Sequence, residues 1–388
     1  MFGYQGWFAC PDDGSPLGTW EHWFVRGQPA GAGTLRVDMW PDVSDLPADA
    51  RCETPLSLPD GAHAQLYSAY NPKTVDRHFA WMQQYDLAGV FLQRFTVSLE
   101  SAAMLGFRDA VARNVRVAAE SHGRVFAMMY DVTGQSRDTV VDTVKRDWVH
   151  LVDTLRLTAS PRYLHHRGRP LLAIWGLGFT DRAAGPAEAA ALIDFFKNHP
   201  DPRYRVTLLG GVPTHWRTLS RDSQTDPAWA QVYRSFDIVS PWSVGRFRDA
   251  PGVDRFYEEN VRPDIVEARR FGIDYLPVVF PGFSWHNLNP DSPLNRIPRL
   301  GGRFYWRQVA RALQAGNTML YGAMFDEVDE GTAMFKLARS SSDAPVDIPL
   351  VTLDEDGERL PSDWYLRLAR ESQRALARGA TRDRRGGK

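Results

Sequence analysis

Only two cysteines, Cys10 and Cys52, occur in 388 residues. Neither lies in a metal-spaced pair, which argues against a zinc site, and the sequence leaves open whether they form one disulfide or remain two buried thiols. Long apolar runs are missing too: no stretch reaches the roughly 20 residues a bilayer-crossing helix needs, so no membrane partner is expected. Residues Met1 to Tyr4 look like a strand rather than a charged-then-apolar leader, so the expected location is the cytoplasm unless a leader was removed. Charge of one sign is not in surplus. With 46 Lys+Arg against 47 Asp+Glu, the chain lacks the basic excess that a phosphate backbone demands, so nucleic acid is not an expected partner. The chain also lacks a Gly-x-Ser-x-Gly elbow and a Walker-type loop, which removes the main support for serine-hydrolase or nucleotide-hydrolysing chemistry.

What is present fits one large globular unit. Hydrophobic residues at 43% and charged residues at 24% match an average globular chain with ample apolar material for a core, which excludes disordered and fibrous classes. Aromatics are abundant, with 13 Trp, 13 Tyr and 20 Phe, many beside Gly, Pro or Asn in loop-like segments. Flat rings suit the C–H faces of sugars, although for any single Trp core packing is the favoured account.

Eight segments rich in β-branched or aromatic residues recur, each followed by a helix-forming stretch. They are Phe2 to Phe8, Leu87 to Phe95, Val125 to Asp131, Leu171 to Gly176, Arg205 to Val212, Ile238 to Ser243, Tyr275 to Phe280 and Thr318 to Glu327. Runs such as Leu171-Leu172-Ala173-Ile174-Trp175 are continuously apolar, as parallel strands covered on both faces require. Helices are predicted over Val75 to Tyr85, Ala102 to Glu120, Asp138 to Leu155, Ala187 to Asn198, Val253 to Phe271, Arg303 to Ala315 and Trp364 to Ala377. The rhythm predicts an α/β fold, a (β/α)8 TIM barrel over residues 1–377. A disordered Arg- and Gly-rich tail is expected over 378–388. A doubly wound open sheet is the second choice, but no Gly-rich phosphate fingerprint follows the first strand. Two long loops, Ala9 to Asn71 after strand one and Pro281 to Arg299 after strand seven, fall on the face where barrel active sites form.

The eighth strand ends in four acids within five residues, Asp326, Glu327, Asp329 and Glu330, before Gly331-Thr332. A charge run is usually a solvated face, but this one terminates the buried run Met319 to Phe325. Carboxylates there repel one another and lose solvent, which separates their pKa values and lets one acid and one base coexist near neutral pH. Glu327 and Glu330, three apart, converge only if the chain turns between them. Cleavage of a glycosidic bond needs such a pair. Binding of Ca²⁺ by an Asp-rich turn is the less favoured alternative.

Glu327-Val328-Asp329-Glu330-Gly331-Thr332 resembles the Glu-Trp-His-Glu-Gly-Thr segment of glycoside hydrolase family 99, the endo-α-mannosidases, within the wider group of families 71 and 99. The start Gly3-Tyr4-Gln5-Gly6-Trp7-Phe8 and the loop Pro281-Gly282-Phe283 resemble the same group. The resemblance implies a retaining hydrolase of α-linked, mannose-type glycans that needs no metal or cofactor, with an oligosaccharide or polysaccharide as partner. The position of Glu327 would assist the sugar's own 2-hydroxyl in attacking the anomeric carbon, giving an anhydro-sugar. The position of Glu330 would be general acid and then base. Val328 and Asp329 replace the family's Trp and His, which puts the particular sugar in question. A non-catalytic sugar-binding barrel, and a lyase or transglycosylase using the same cleft, are the competing readings.

Other strand ends and loops supply candidate substrate ligands. Asp326 belongs to the acidic run itself. Gln93 and Arg94 close strand two, Tyr130 and Asp131 strand three, Trp175 strand four and Trp242 strand six. For Arg94 and Asp131 a structural ion pair is as good a reading as substrate binding. Phe283, Trp285 and His286 come from the loop after strand seven, Tyr4 and Trp7 from strand one, and Trp40 from the first long loop. His165-His166 reads as a solvated turn before strand four.

Overall fold

The computed structural model describes the backbone of residues 1–386 and side chains through Gly379. Eight parallel barrel strands are formed by Phe2–Tyr4 (β1), Gly89–Phe95 (β2), Val125–Asp131 (β3), Arg169–Trp175 (β4), Thr207–Val212 (β5), Ile238–Pro241 (β6), the pieces Asp274–Tyr275 and Val278–Val279 (β7) and Tyr321–Gly322 (β8). Each strand pairs with the next, and β1 pairs with both β2 and β8. The first piece of β7 pairs with β6 and the second with β8, so the ladder closes on itself through β7. Pro277 divides β7 because it has no N–H to give the ladder; its carbonyl still accepts the Tyr321 N–H at 3.0 Å.

Helices cover the outside. Pro72–Gln84 (α1) starts where Asn71 accepts the Lys73 N–H with Pro72 at its first position, and Ala102–His122 (α2) runs from a Ser101 cap to Gly123 in the left-handed region. Val140–Asp153 (α3), Pro186–Asn198 (α4) and Trp229–Arg234 (α5) follow. Ala250–Phe256 (α6) passes through a π turn, Tyr257–Val261, into Arg262–Arg270 (α7), and Arg303–Gln314 (α8) and Trp364–Gly386 (α9) complete the set. The two-residue period of a strand sorts side chains between two cores. On β2, Phe91 and Gln93 meet Tyr321 inside the barrel, while Arg94 points out to Asp109 of α2 and Asp147 of α3.

Several expectations need correction. The strands predicted at Phe2 to Phe8 and Thr318 to Glu327 contract to β1 and β8: beyond Tyr4 the backbone bonds to connecting segments, and beyond Gly322 only single bonds to neighbouring strands remain, from the Ala323 N–H to Val279 and from the Phe325 N–H to Gly3. The connection after β1 is structured: Arg51–Ser57 pairs antiparallel with His63–Tyr67, and a Cys10–Cys52 disulfide ties the hairpin to the chain leaving β1. Pro55 disguised that hairpin, and the register breaks where it falls, between Glu53 and Ser57. His165-His166 is a short strand against Arg169 and Pro170, with His166 2.8 Å from Asp274. The expected disordered tail begins inside α9, which continues to Gly386; Gly387 and Lys388 lie outside the described residues.

Candidate active site

Past β8 the chain keeps bonding inward, through the Phe325 N–H to the Gly3 carbonyl at 2.7 Å. It then folds over itself: Thr332 donates its N–H to the Glu327 carbonyl at 3.1 Å, and Met334 donates to Phe325 at 3.0 Å. Gly331 makes the turn possible, since its φ of +62° is left-handed and a Cβ there would lie 2.8 Å from the Ser284 nitrogen. Both long loops fasten to this turn. Asp38 and Met39 donate N–H bonds to the Val328 carbonyl, and Ser284 donates to the Glu330 carbonyl at 3.0 Å. Asp38 also accepts N–H bonds from His286 and Asn287, both at 2.7 Å, joining the first loop to the seventh.

The four acids occupy four different environments. Asp326 is fully buried, and its two oxygens accept the backbone N–H groups of Gln5 and Gly6; burial, opposed by those bonds, pushes its carboxyl up to about 7. Glu327 accepts from the Gln5 side-chain amide on one oxygen and from the Thr332 hydroxyl, at 2.6 Å, on the other. Burial raises its pKa, and the Asp329 charge raises it further. Asp329 is buried with Oδ2 3.4 Å from His22 Nδ1 and with no partner for Oδ1 among the described residues. Glu330 is half-buried and has no side-chain hydrogen bond among the described residues. Its pKa is raised by burial first, then by the charges of Glu327, Asp329 and Asp131. Both glutamates are thus raised by burial; Glu327 has two donors that favour its ionised form, and Glu330 has none among the described residues.

Aromatic rings cluster at the strand ends and in the loops around β1, β4, β6 and β7. Trp7 stacks on His22 at 3.8 Å and tilts against Phe95 at 5.3 Å. Trp175 and Trp242, both half-exposed, meet edge to face at 5.5 Å, and Trp242 touches Tyr321 at 6.0 Å. Phe283 and Trp285 are 5.4 Å apart. The indole N–H groups of Trp7, Trp175 and Trp285 are buried without a partner among the described residues, donors that folding leaves unspent. Asp131 ends β3 on the inward side, and burial pushes its carboxyl up to about 6. Gln93, inside the barrel, donates to the Tyr321 hydroxyl at 2.9 Å and so lies beneath the acids.

Other predicted ligands are placed elsewhere. Arg94 is 1% exposed and spent on Asp109 and Asp147, and Tyr130 gives its hydroxyl to Asp147 at 2.7 Å; both face the helices, not the mouth. Tyr4 is fully buried, with its hydroxyl 2.9 Å from His78 of α1. Trp40 is buried among the connecting segments, and its carbonyl accepts from Ala338. Asp326 is spent on the backbone and holds the frame of the site. His286 has its Nδ1 2.8 Å from the Ser292 carbonyl. Val328, at the family's Trp position, is wholly buried, so it offers a substrate no surface. Sequence reasoning did not single out Gln5, Thr332, His22 or Arg108. Gln5 was legible from parity with inward Gly3. Arg108, which donates to the Gln5 carbonyl at 3.2 Å, gave no signal.

In architecture the chain is similar to solved glycoside hydrolases. The structure of the GH99 endo-α-mannosidase from Bacteroides thetaiotaomicron matches with a TM-score of 0.69 at 15% identity, over 98% of each chain. A second structure of that enzyme, in complex with BIS-TRIS-propane, matches with a TM-score of 0.69 at 14% identity, over 98% of this chain and 97% of that one. A glycoside hydrolase-like protein matches with a TM-score of 0.55 at 14% identity, over 90% of this chain and 98% of that one. No family model and no curated relative matches the sequence. At these identities the likeness establishes a glycoside-hydrolase-like barrel.

Proposed function

We propose that the protein is a retaining glycoside hydrolase of α-linked, mannose-type glycans, working through Glu327 and Glu330. The observation that carries this reading is the asymmetry of the pair: Glu327 is clamped by Gln5 and Thr332, while Glu330 is half-buried with no side-chain hydrogen bond among the described residues, and burial raises both carboxyls. An acid that keeps its proton near neutral pH suits the departing glycosidic oxygen, and the same group, once ionised, activates water in the second step. Glu327, in its ionised form, which the two donors favour against burial, would draw the proton from the sugar's 2-hydroxyl as that oxygen attacks the anomeric carbon. The unpaired indole donors of Trp7, Trp175 and Trp285 and the half-exposed rings of Trp175 and Trp242, at strand ends and in loops, suit sugar hydroxyls and C–H faces. Asp329, at the family's His position and beside His22, is where the sugar preference would depart from that family.

The test is hydrolysis of α-linked manno-oligosaccharides with reducing-end detection, on the wild type and on Glu330→Gln and Glu327→Gln. Each variant is expected to lose at least about 100-fold in kcat, the usual worth of a positioned acid or base, with ligand binding retained. Wild-type turnover in either variant would remove that residue from the mechanism. Full binding by a wild type that does not hydrolyse would favour the sugar-binding reading.

A further inference from the structure

Away from the acids, a hollow of about 790 Å³ opens between the loops that follow β4, β5, β6 and β7. Because all four loops leave the C-terminal ends of strands, the hollow lies on the same face as Glu327 and Glu330. Five arginines line it, Arg221, Arg246, Arg248, Arg255 and Arg296. The acids beside them are mostly spent. Asp222 accepts from the Thr214 N–H and hydroxyl and pairs with Arg246 at 2.9 Å. Asp249 caps α6 through the Gly252 N–H at 2.7 Å. That leaves Arg221, Arg248, Arg255 and Arg296 without a carboxylate within ion-pair distance, against one unengaged acid, Glu259, among the described residues. The whole chain carries a net charge of −1, so this cationic excess is local.

Two features connect the hollow to the acids. Phe283 and Ile297 exchange N–H bonds at 3.0 and 2.9 Å, and Ser284, next along, donates to Glu330; one loop thus contributes both to the hollow's wall and to the acidic turn. The aromatic contacts Tyr321–Trp242 and Trp242–Trp175 continue to Phe179 at 4.9 Å, beside Thr180 of the hollow. Guanidinium forks without partners recognise oxyanions through paired, charge-assisted hydrogen bonds. We infer that this hollow is a subsite for an oxyanion carried on the glycan, a phosphate or sulfate ester or a uronate carboxylate, while the glycosidic bond is cleaved at Glu327 and Glu330.

This inference rests on the hydrolase reading for its glycan but not for its anion. The test compares the wild type with the double variant Arg248→Ala/Arg296→Ala, both exposed positions. Titration calorimetry would use α-mannotriose, its phosphate and sulfate esters, α-linked tri-galacturonate, and inorganic phosphate and sulfate. An esterified or uronate trisaccharide is expected to bind the wild type about tenfold or more tighter than α-mannotriose, the worth of one charged hydrogen bond. The advantage should vanish in the variant and shrink with added salt, and the ranking of the three anions names the substituent. Equal binding of charged and neutral sugars by the wild type, or an advantage surviving in the variant, would overturn the inference. Should no sugar bind, inorganic phosphate or sulfate must still bind the wild type more tightly than the variant; if so, the hydrolase reading fails and the anion site stands, and if not, the anion site fails too.

Discussion

Asp326 and Gln5, 321 residues apart, are joined by a 2.7 Å bond from the Gln5 backbone N–H to the Asp326 carboxylate. The second oxygen takes the Gly6 N–H at 2.9 Å, so the end of β8 is clipped to the end of β1 and the Gln5 side chain is presented to Glu327. Asp326→Asn would turn an NH2 group toward one of those N–H donors and orphan it. A loss of about 1–3 kcal/mol is expected, the cost of an unsatisfied buried donor. Urea unfolding reads it as a lower midpoint at unchanged slope, and an unshifted midpoint would refute the clip.

Thr332 offers a finer test of the clamp on Glu327. Its hydroxyl, 2.6 Å from the carboxylate, favours the ionised form. Thr332→Val should raise the Glu327 pKa by about one unit, roughly the worth of one charged hydrogen bond. If Glu327 must be ionised, the acidic limb of the kcat/KM profile moves to higher pH, and Thr332→Ser restores it. A valine variant whose limb stays in place, with only a lower plateau, would show a merely structural role.

How much of this was readable beforehand comes down to parity and burial. The barrel was legible because alternating apolar strands and amphipathic helices leave a repeating pattern, and the acidic turn because four charges ending an apolar run are out of place. Consecutive strand-end residues were the weak point. The strand-end reading groups Arg94 and Tyr130 with Gln93 and Asp131, although neighbours on a strand must face opposite sides. Taking Gln93 as inward would have sent Arg94 outward to the helices. Cross-chain partners such as Arg108 and His22 depend on loops of dozens of residues, whose paths no local pattern fixes.

Asp131 predicts how stability changes with pH. Burial lifts its carboxyl from 3.8 to about 6, so the folded chain holds the proton more tightly than the unfolded one. The resulting stabilisation is fully present below the unfolded value and is lost as pH rises through about 6. Two units bound the effect at about 3 kcal/mol. Denaturant titrations between pH 4 and 7 should therefore show a decline that Asp131→Asn flattens; an equally steep decline in the variant would place its origin in other carboxyls.

Arg94 separates frame from mouth. Its guanidinium meets Asp147 in a two-pronged contact, at 2.7 Å on each oxygen, and Asp109 at 2.8 Å. Tyr130 and His150 complete the group through Asp147 and Asp109. Removing the cation leaves two buried carboxylates to repel each other between β2 and the helices, and breaking such a pair costs about 3–5 kcal/mol. Arg94→Met keeps much of the volume, so the loss would be electrostatic and not a cavity effect. Substrate never meets this residue, so the folded fraction of Arg94→Met should keep the wild-type KM while unfolding at a markedly lower denaturant concentration. A raised KM with unchanged stability would instead mean that the guanidinium reaches the sugar, against its 1% exposure.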